Sequence, residues 1–257
     1  MTPPRPGFLR WRSWGSGNRR ALLLHGTASS SSTWWQVGPA LAEAGWRVKA
    51  PDLPAHGASP RVDGALTPEI AATWVDAELA DRPLGLVLGH GLGAAVALEL
   101  LGRRPAELVV LEEPLGPASV DWTAAAAELE RQAAEARRDQ QRAYERLRAA
   151  KPSWAEEGCR TVVHDLAGCV VAEVAAGLRA GAQFPFLTPD VPDRPTLVLA
   201  APDAPGVNQV ADETMLRGDD RHTARELADS FVELEGGHNL HRDRPHEWRQ
   251  AVLAFTG

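Results

Sequence analysis

The stretch Leu84-Gly85-Leu86-Val87-Leu88-Gly89-His90-Gly91-Leu92-Gly93-Ala94-Ala95 decides the fold. Leu84 to Leu88 is a short apolar run ended by turn residues, which fits a strand buried on both faces. The alanine-rich segment from Gly93 to Leu101 reads as a helix. Between them, Gly89, Gly91 and Gly93 allow a sharp turn and close packing of strand against helix.

The same alternation extends outward. Upstream, Ala21 to Leu24 and Arg47 to Pro51 read as strands, with helices over about 34–44 and about 68–79. Phe8 to Trp14 alternates large apolar and polar groups and runs into Gly15-Ser16-Gly17-Asn18, predicting an edge strand and a hairpin turn. Downstream, Glu107 to Leu111 is a fourth buried strand. From about Trp122 to Gly181 only helical patterns occur, with the charged stretch Glu128 to Arg148 on a solvated face. Strands return at Thr196 to Ala200 and Phe231 to Leu234, and Glu247 to Phe255 closes the chain as a helix.

Repeated strand–helix alternation predicts a mostly parallel sheet with helices on both faces. The expected organisation is one α/β domain over 1–257. Its core covers about 1–117 and 190–257, and a helical cap covers about 118–189. Ligands of open α/β sheets bind outside the carboxyl ends of the strands, which is where such a cap would lie.

The chain has 257 residues, 44% of them hydrophobic and 24% charged, with a formal net charge of -7. A nucleic-acid partner calls for a basic face, which this balance does not suggest. Cys159 and Cys169, without a further Cys/His cluster, read as free thiols in a reducing compartment. The first residues lack the apolar run of a signal peptide, and no window approaches a membrane span of about 20 apolar residues. The expectation is a cytoplasmic protein with a small-molecule partner and no nucleic-acid or membrane partner. Gly89 to Gly93 is too short for a dinucleotide fingerprint, and no phosphate loop or metal-ligand spacing occurs, so no cofactor and no metal are expected.

Four motifs in order resemble the α/β-hydrolase superfamily, in its compact esterase- and lactonase-like branch: His25-Gly26-Thr27, Asp52-Leu53-Pro54-Ala55-His56-Gly57-Ala58-Ser59, Gly89-His90-Gly91-Leu92-Gly93, and Gly236-Gly237-His238-Asn239. The resemblance spans nearly the whole chain and implies the α/β-hydrolase fold. It assigns the backbone N–H groups of Thr27 and Leu92 to an oxyanion hole, where each donor contributes roughly 3–4 kcal/mol to a developing charge. The Asp52 loop is read as structural, held by its tight turn. His238 matches the catalytic histidine, whereas His241 and His246 read as surface residues at a helix start. For the orienting acid, Asp203 ranks first, Glu113 second and Glu112 third. The bland alternative is that Glu112 and Glu113 face solvent or an arginine. His25, Gly26 and His90 join the substrate-contacting candidates, as do Trp34 and Trp35. Trp122 and Trp154 are comparable candidates for an apolar wall.

The pattern departs from the family at one residue. Family members carry Gly-x-Ser-x-Gly on the strand-to-helix turn, and here the central position is Gly91. Glycine accepts the positive φ of that position but supplies no nucleophile. Removing the serine of a triad costs on the order of 10⁶ in turnover. The expected function is therefore hydrolase-like chemistry, altered or disabled, on a small, mostly apolar ester- or carbonyl-containing molecule, with His238 as general base. Three alternatives stand beside it: a non-catalytic binding pseudoenzyme, a nucleophile-disabled serine esterase one codon base from serine, and a cofactor-free lyase or cyclase.

Overall fold

The computed structural model describes residues 8–79, 82–189, 194–203 and 214–257. Seven strands form one sheet: β1 (Trp11–Trp14), β2 (Arg19–Leu24), β3 (Trp46–Pro51), β4 (Leu84–His90), β5 (Ala106–Glu112), β6 (Thr196–Ala200) and β7 (Ser230–Glu233). Their order is β1-β3-β2-β4-β5-β6-β7, and only β1 runs antiparallel. The α/β-hydrolase fold expected from the sequence is the fold observed.

The hairpin expected after Phe8 to Trp14 does not form. β1 pairs with β3, from Trp11 opposite Pro51 to Trp14 opposite Val48, while β2 lies between β3 and β4. Burial explains the choice. Ala21 to Leu24 are all buried and need a neighbour on each side, whereas the middle of β1 is exposed and suits an edge.

The continuous apolar runs follow from two covered faces. Side chains alternate along a strand, so Leu22 and Leu24 enter one core while Leu23 enters the other. The first core takes in α2 (Pro68–Glu78) and α3 (Leu92–Leu101). The second takes in α1 (Val37–Glu43) and α10 (Pro245–Thr256), around the buried indoles of Trp34, Trp46 and Trp248. Thr67 caps α2 by accepting from the Ile70 N–H, with Pro68 in the first turn, so the helix starts where the sequence predicts.

Between β5 and β6 lie α4 (Trp122–Arg138), α5 (Gln140–Ala150), α6 (Glu156–Gly168) and α7 (Val171–Arg179). Asp139 divides the charged stretch into two helices, since its carboxylate accepts from the Arg142 N–H and opens α5. Trp122, Ala126, Leu129 and Ala133 of α4 pack into the first core with Val174 and Leu178 of α7. Past β6, α8 (Gly218–Leu227) precedes β7, and the short α9 (Leu240–Asp243) precedes α10. The boundary expected at 190 lies outside the described residues. Among those residues, no single helix is long and apolar enough to cross a membrane.

Candidate active site

The site is built where β4 turns into α3. Gly91 has φ +52° and ψ −114°, a conformation that strains any residue with a Cβ. Its N–H donates to the Glu112 carbonyl at 3.0 Å, and its own carbonyl accepts from the Ala94 N–H at 3.0 Å. The flanking glycines meet a different demand. A Cβ on Gly89 would collide with the Gly93 carbonyl, and one on Gly93 with the Leu24 carbonyl, so both let helix approach strand.

The turn at His25-Gly26-Thr27 sits beside it. Ala28 also has positive φ, +51°, and its N–H donates to His56 Nε2 at 3.1 Å. His56 Nδ1–H in turn donates to the Pro54 carbonyl. His25 is buried, accepts from the Leu53 N–H through Nε2 at 2.9 Å, and contacts its neighbour's carbonyl through Nδ1. Burial pushes the His25 imidazole down to about 4 and the His56 imidazole down to about 3. Both are therefore neutral struts joining the two loops. Asp52 completes the frame, accepting from the Ser31 and Ala58 N–H groups.

Two consecutive carboxylates at the end of β5 each face a histidine. Glu113 is fully buried at φ +45° and accepts from the Ala201 N–H, the Thr214 hydroxyl and the Met215 N–H. Its Oε2 also lies 3.5 Å from His238 Nδ1, at the long end of hydrogen-bond range. His238 Nε2 points the other way, and a Cβ built on Gly91 would stand 2.9 Å from it. Glu112 faces the opposite side. It accepts from the His241 N–H at 2.9 Å and from His241 Nδ1–H at 2.8 Å. His241 Nε2 accepts from the Thr33 hydroxyl, whose oxygen accepts from Arg242. His90 bridges the two pairs, donating from Nε2 to the His238 carbonyl at 2.7 Å, with its ring 4.7 Å from that of His238 and 5.1 Å from that of His241.

Burial raises the Glu112 carboxyl above its ordinary range and drives the His90 and His241 imidazoles well below theirs. Glu112, His90 and His241 bring their ligand-type atoms within 4.8 Å of one another. His241 has both nitrogens engaged and His90 one, so the cluster is satisfied as a hydrogen-bonded network.

A cavity of about 470 Å³ opens between the strand ends and the inserted helices. Thr27, His90 and His238 lie on its floor, and Leu115, Trp122, Leu129, Trp154 and Leu178 line its apolar walls.

Several sequence expectations move. Asp203 is exposed past β6 with no bond to His238, so geometry favours Glu113 as the partner. Glu112 faces neither solvent nor arginine, and His241 is not a surface residue; the two are buried against each other. Neither Trp34 nor Trp35 lines the cavity. Trp34 is fully buried against His241 and Trp248, and Trp35 is exposed. Trp122 and Trp154 line it instead. His25 and Gly26 are packed beneath the floor, where a Cβ on Gly26 would meet His90 Nδ1 at 2.5 Å. Leu92 is buried as the first residue of α3. The twin pairing was hidden by sequence distance, although one signal points to it: His238 and His241 are three apart.

The profile of the Alpha/beta hydrolase family matches residues 21–251. Among curated proteins, the chain is similar to the pimeloyl-[acyl-carrier protein] methyl ester esterase of Sodalis glossinidius (strain morsitans), 40% identical over 120 residues, 44% of each chain. It is also similar to lipase LipV of Mycobacterium tuberculosis (strain ATCC 25618 / H37Rv), 33% identical over 107 residues, 37% of this chain and 36% of the lipase. These matches span less than half the length of those relatives. Among solved structures, a thermophilic esterase from Thermogutta terrifontis superposes with a TM-score of 0.68 at 20% identity, covering 96% of this chain and 92% of the esterase. With the profile spanning all seven strands but β1 and the start of β2, the chain belongs to the alpha/beta hydrolase family.

Proposed function

We propose that this chain acts on a small, mostly apolar ester- or carbonyl-containing molecule, with His238 as general base and no acyl-enzyme step at Gly91. The observation that carries this reading is the His238 imidazole, held between the Glu113 carboxylate at 3.5 Å and the bare backbone of Gly91. A glycine with φ +52° at this turn has the backbone that a nucleophile would need and no side chain to attack with. The space it leaves suits a water molecule beside His238 Nε2.

In this mechanism Nε2 takes a proton from that water as its oxygen bonds to the carbonyl carbon. The carbonyl π pair moves onto oxygen, where the Thr27 and Leu92 N–H groups stabilise it. Collapse of the adduct breaks the bond to the leaving group, which recovers the proton from His238. The products are an acid and an alcohol. Glu113 keeps the imidazole oriented and stabilises its cation. The methyl ester named for the esterase of Sodalis glossinidius supports the ester part of this substrate class.

The test pairs hydrolysis of short-chain esters with fluorophosphonate labelling, in the chain as it stands, in Gly91→Ser and in His238→Ala. Slow turnover without labelling, abolished in His238→Ala, is the expected result. An inert native chain that gains labelling and about 10³-fold or more in turnover as Gly91→Ser identifies a disabled serine esterase instead. Ligand binding without turnover, unaffected by His238→Ala, identifies a binding pseudoenzyme. Loss in His238→Ala of a non-hydrolytic turnover identifies a lyase or cyclase. The Gly91→Ser side chain is accommodated only if the His238 ring end moves slightly, since 2.9 Å is too close for a Cβ.

A further inference from the structure

We propose that Arg242 binds a carboxylate on the ligand, so that the molecule held in the cavity is an apolar acid. The additional reactive carbonyl in that molecule rests on the function proposed above; the carboxylate site does not.

Arg242 is on α9, four residues after His238, and lines the same cavity. Its guanidinium has five N–H donors. One donates to Asn239 Oδ1 at 2.8 Å and one to the Thr33 hydroxyl at 2.7 Å, both neutral acceptors. Its face lies 5.4 Å from the Trp154 ring, which also lines the cavity. Among the described residues, no carboxylate lies within ion-pair distance of it.

The three nearby acids are committed elsewhere. Asp165 accepts from the Ser30 and Ser32 hydroxyls. Glu112 is bound to His241, and Asp243 accepts from Trp154 Nε1 and the Gly237 N–H. Two further arginines on the cavity wall differ: Arg131 is paired with Glu128 and Glu135, and Arg146 with Glu135.

A half-buried cation without a direct counter-ion carries a desolvation cost, and a planar carboxylate matches the spare N–H groups of a guanidinium. Burial indeed lowers the Arg242 pKa from its ordinary value. The apolar walls beyond, from Trp122 and Leu129 to Leu178, suit a hydrocarbon body.

Hexanoate and the isosteric neutral hexanamide test this without any turnover. Each is titrated into the intact protein while the Trp154 indole N–H resonance is followed. Saturable hexanoate binding at least about tenfold tighter than hexanamide is expected, falling to the hexanamide level in Arg242→Met and staying within about twofold in Arg131→Gln. Equal affinity of the two probes in the unaltered chain overturns the proposal even if Arg242→Met fails to fold. Hexanoate affinity that survives Arg242→Met, or that is lost in Arg131→Gln, overturns it as well. An ester hydrolase with no preference for hexanoate would break this inference and leave the proposed function standing; hexanoate binding without turnover would do the reverse.

Discussion

Glu112 and Glu113 are neighbours at the end of β5, and each holds a histidine, yet the two pairs have different surroundings. The Glu112–His241 pair is sealed, with side-chain exposures of 0% and 2%. His241 makes three hydrogen bonds within the pair and its surroundings, at 2.8–2.9 Å. The Glu113–His238 pair keeps its carboxylate at 0% but leaves the imidazole 13% exposed on the cavity floor, at a longer 3.5 Å. The short pair fixes the loop, and the long one leaves a ring nitrogen over Gly91. A buried acid–histidine pair in this chain is therefore not in itself a sign of chemistry; access to the cavity is what separates the two.

The comparison is broken most severely at Glu112. Glu112→Ala leaves the His241 backbone and ring N–H groups without an acceptor, and each buried donor left unsatisfied costs about 1–3 kcal/mol. Urea unfolding followed by tryptophan fluorescence measures it. A loss under 1 kcal/mol would mean that the sealed pair holds nothing.

A smaller effect comes from pH. His25, His56, His90 and His241 are kept neutral by burial, with His25 at about 4 and His56 at about 3. In the unfolded chain they titrate near 6.5. The unfolded state therefore takes up protons first, so the stability linked to these groups is present above about pH 6.5 and is lost as pH falls toward 4 and 3. Glu99, Glu112 and Asp165, raised by burial, act in the opposite sense at pH above their unfolded values, and the four imidazoles outnumber them. The urea midpoint should fall between pH 7.5 and 5 by the equivalent of about 1–3 kcal/mol. A flat profile would place the protons elsewhere.

The smallest effect sharpens the assignment of the acid. Asp203→Asn should change stability by less than about 0.5 kcal/mol, as an exposed substitution does. It should also leave the ester turnover of Gly91→Ser unaltered, whereas Glu113→Gln in that background should lower it steeply. A matching loss from Asp203→Asn would restore Asp203 as the partner.

The sequence alone was enough for the architecture. Apolar runs of four or five residues, each ended by turn residues, require strands covered on both faces, and their alternation with helices leaves a parallel sheet as the solution. The glycine spacing 89, 91, 93 was legible for the same reason: it states a backbone demand that no other residue meets cheaply. His238 and Thr27 were readable as motif positions, and the structure puts both on the cavity floor. Pairing across the fold was not readable. Which edge β1 joins, which of two adjacent glutamates turns toward His238, and whether Trp34 faces ligand or core all depend on what other elements leave open. Local sequence specifies which groups a segment offers. Only tertiary packing decides which of them find a buried partner, and which, like His238 and Arg242, are left facing the cavity.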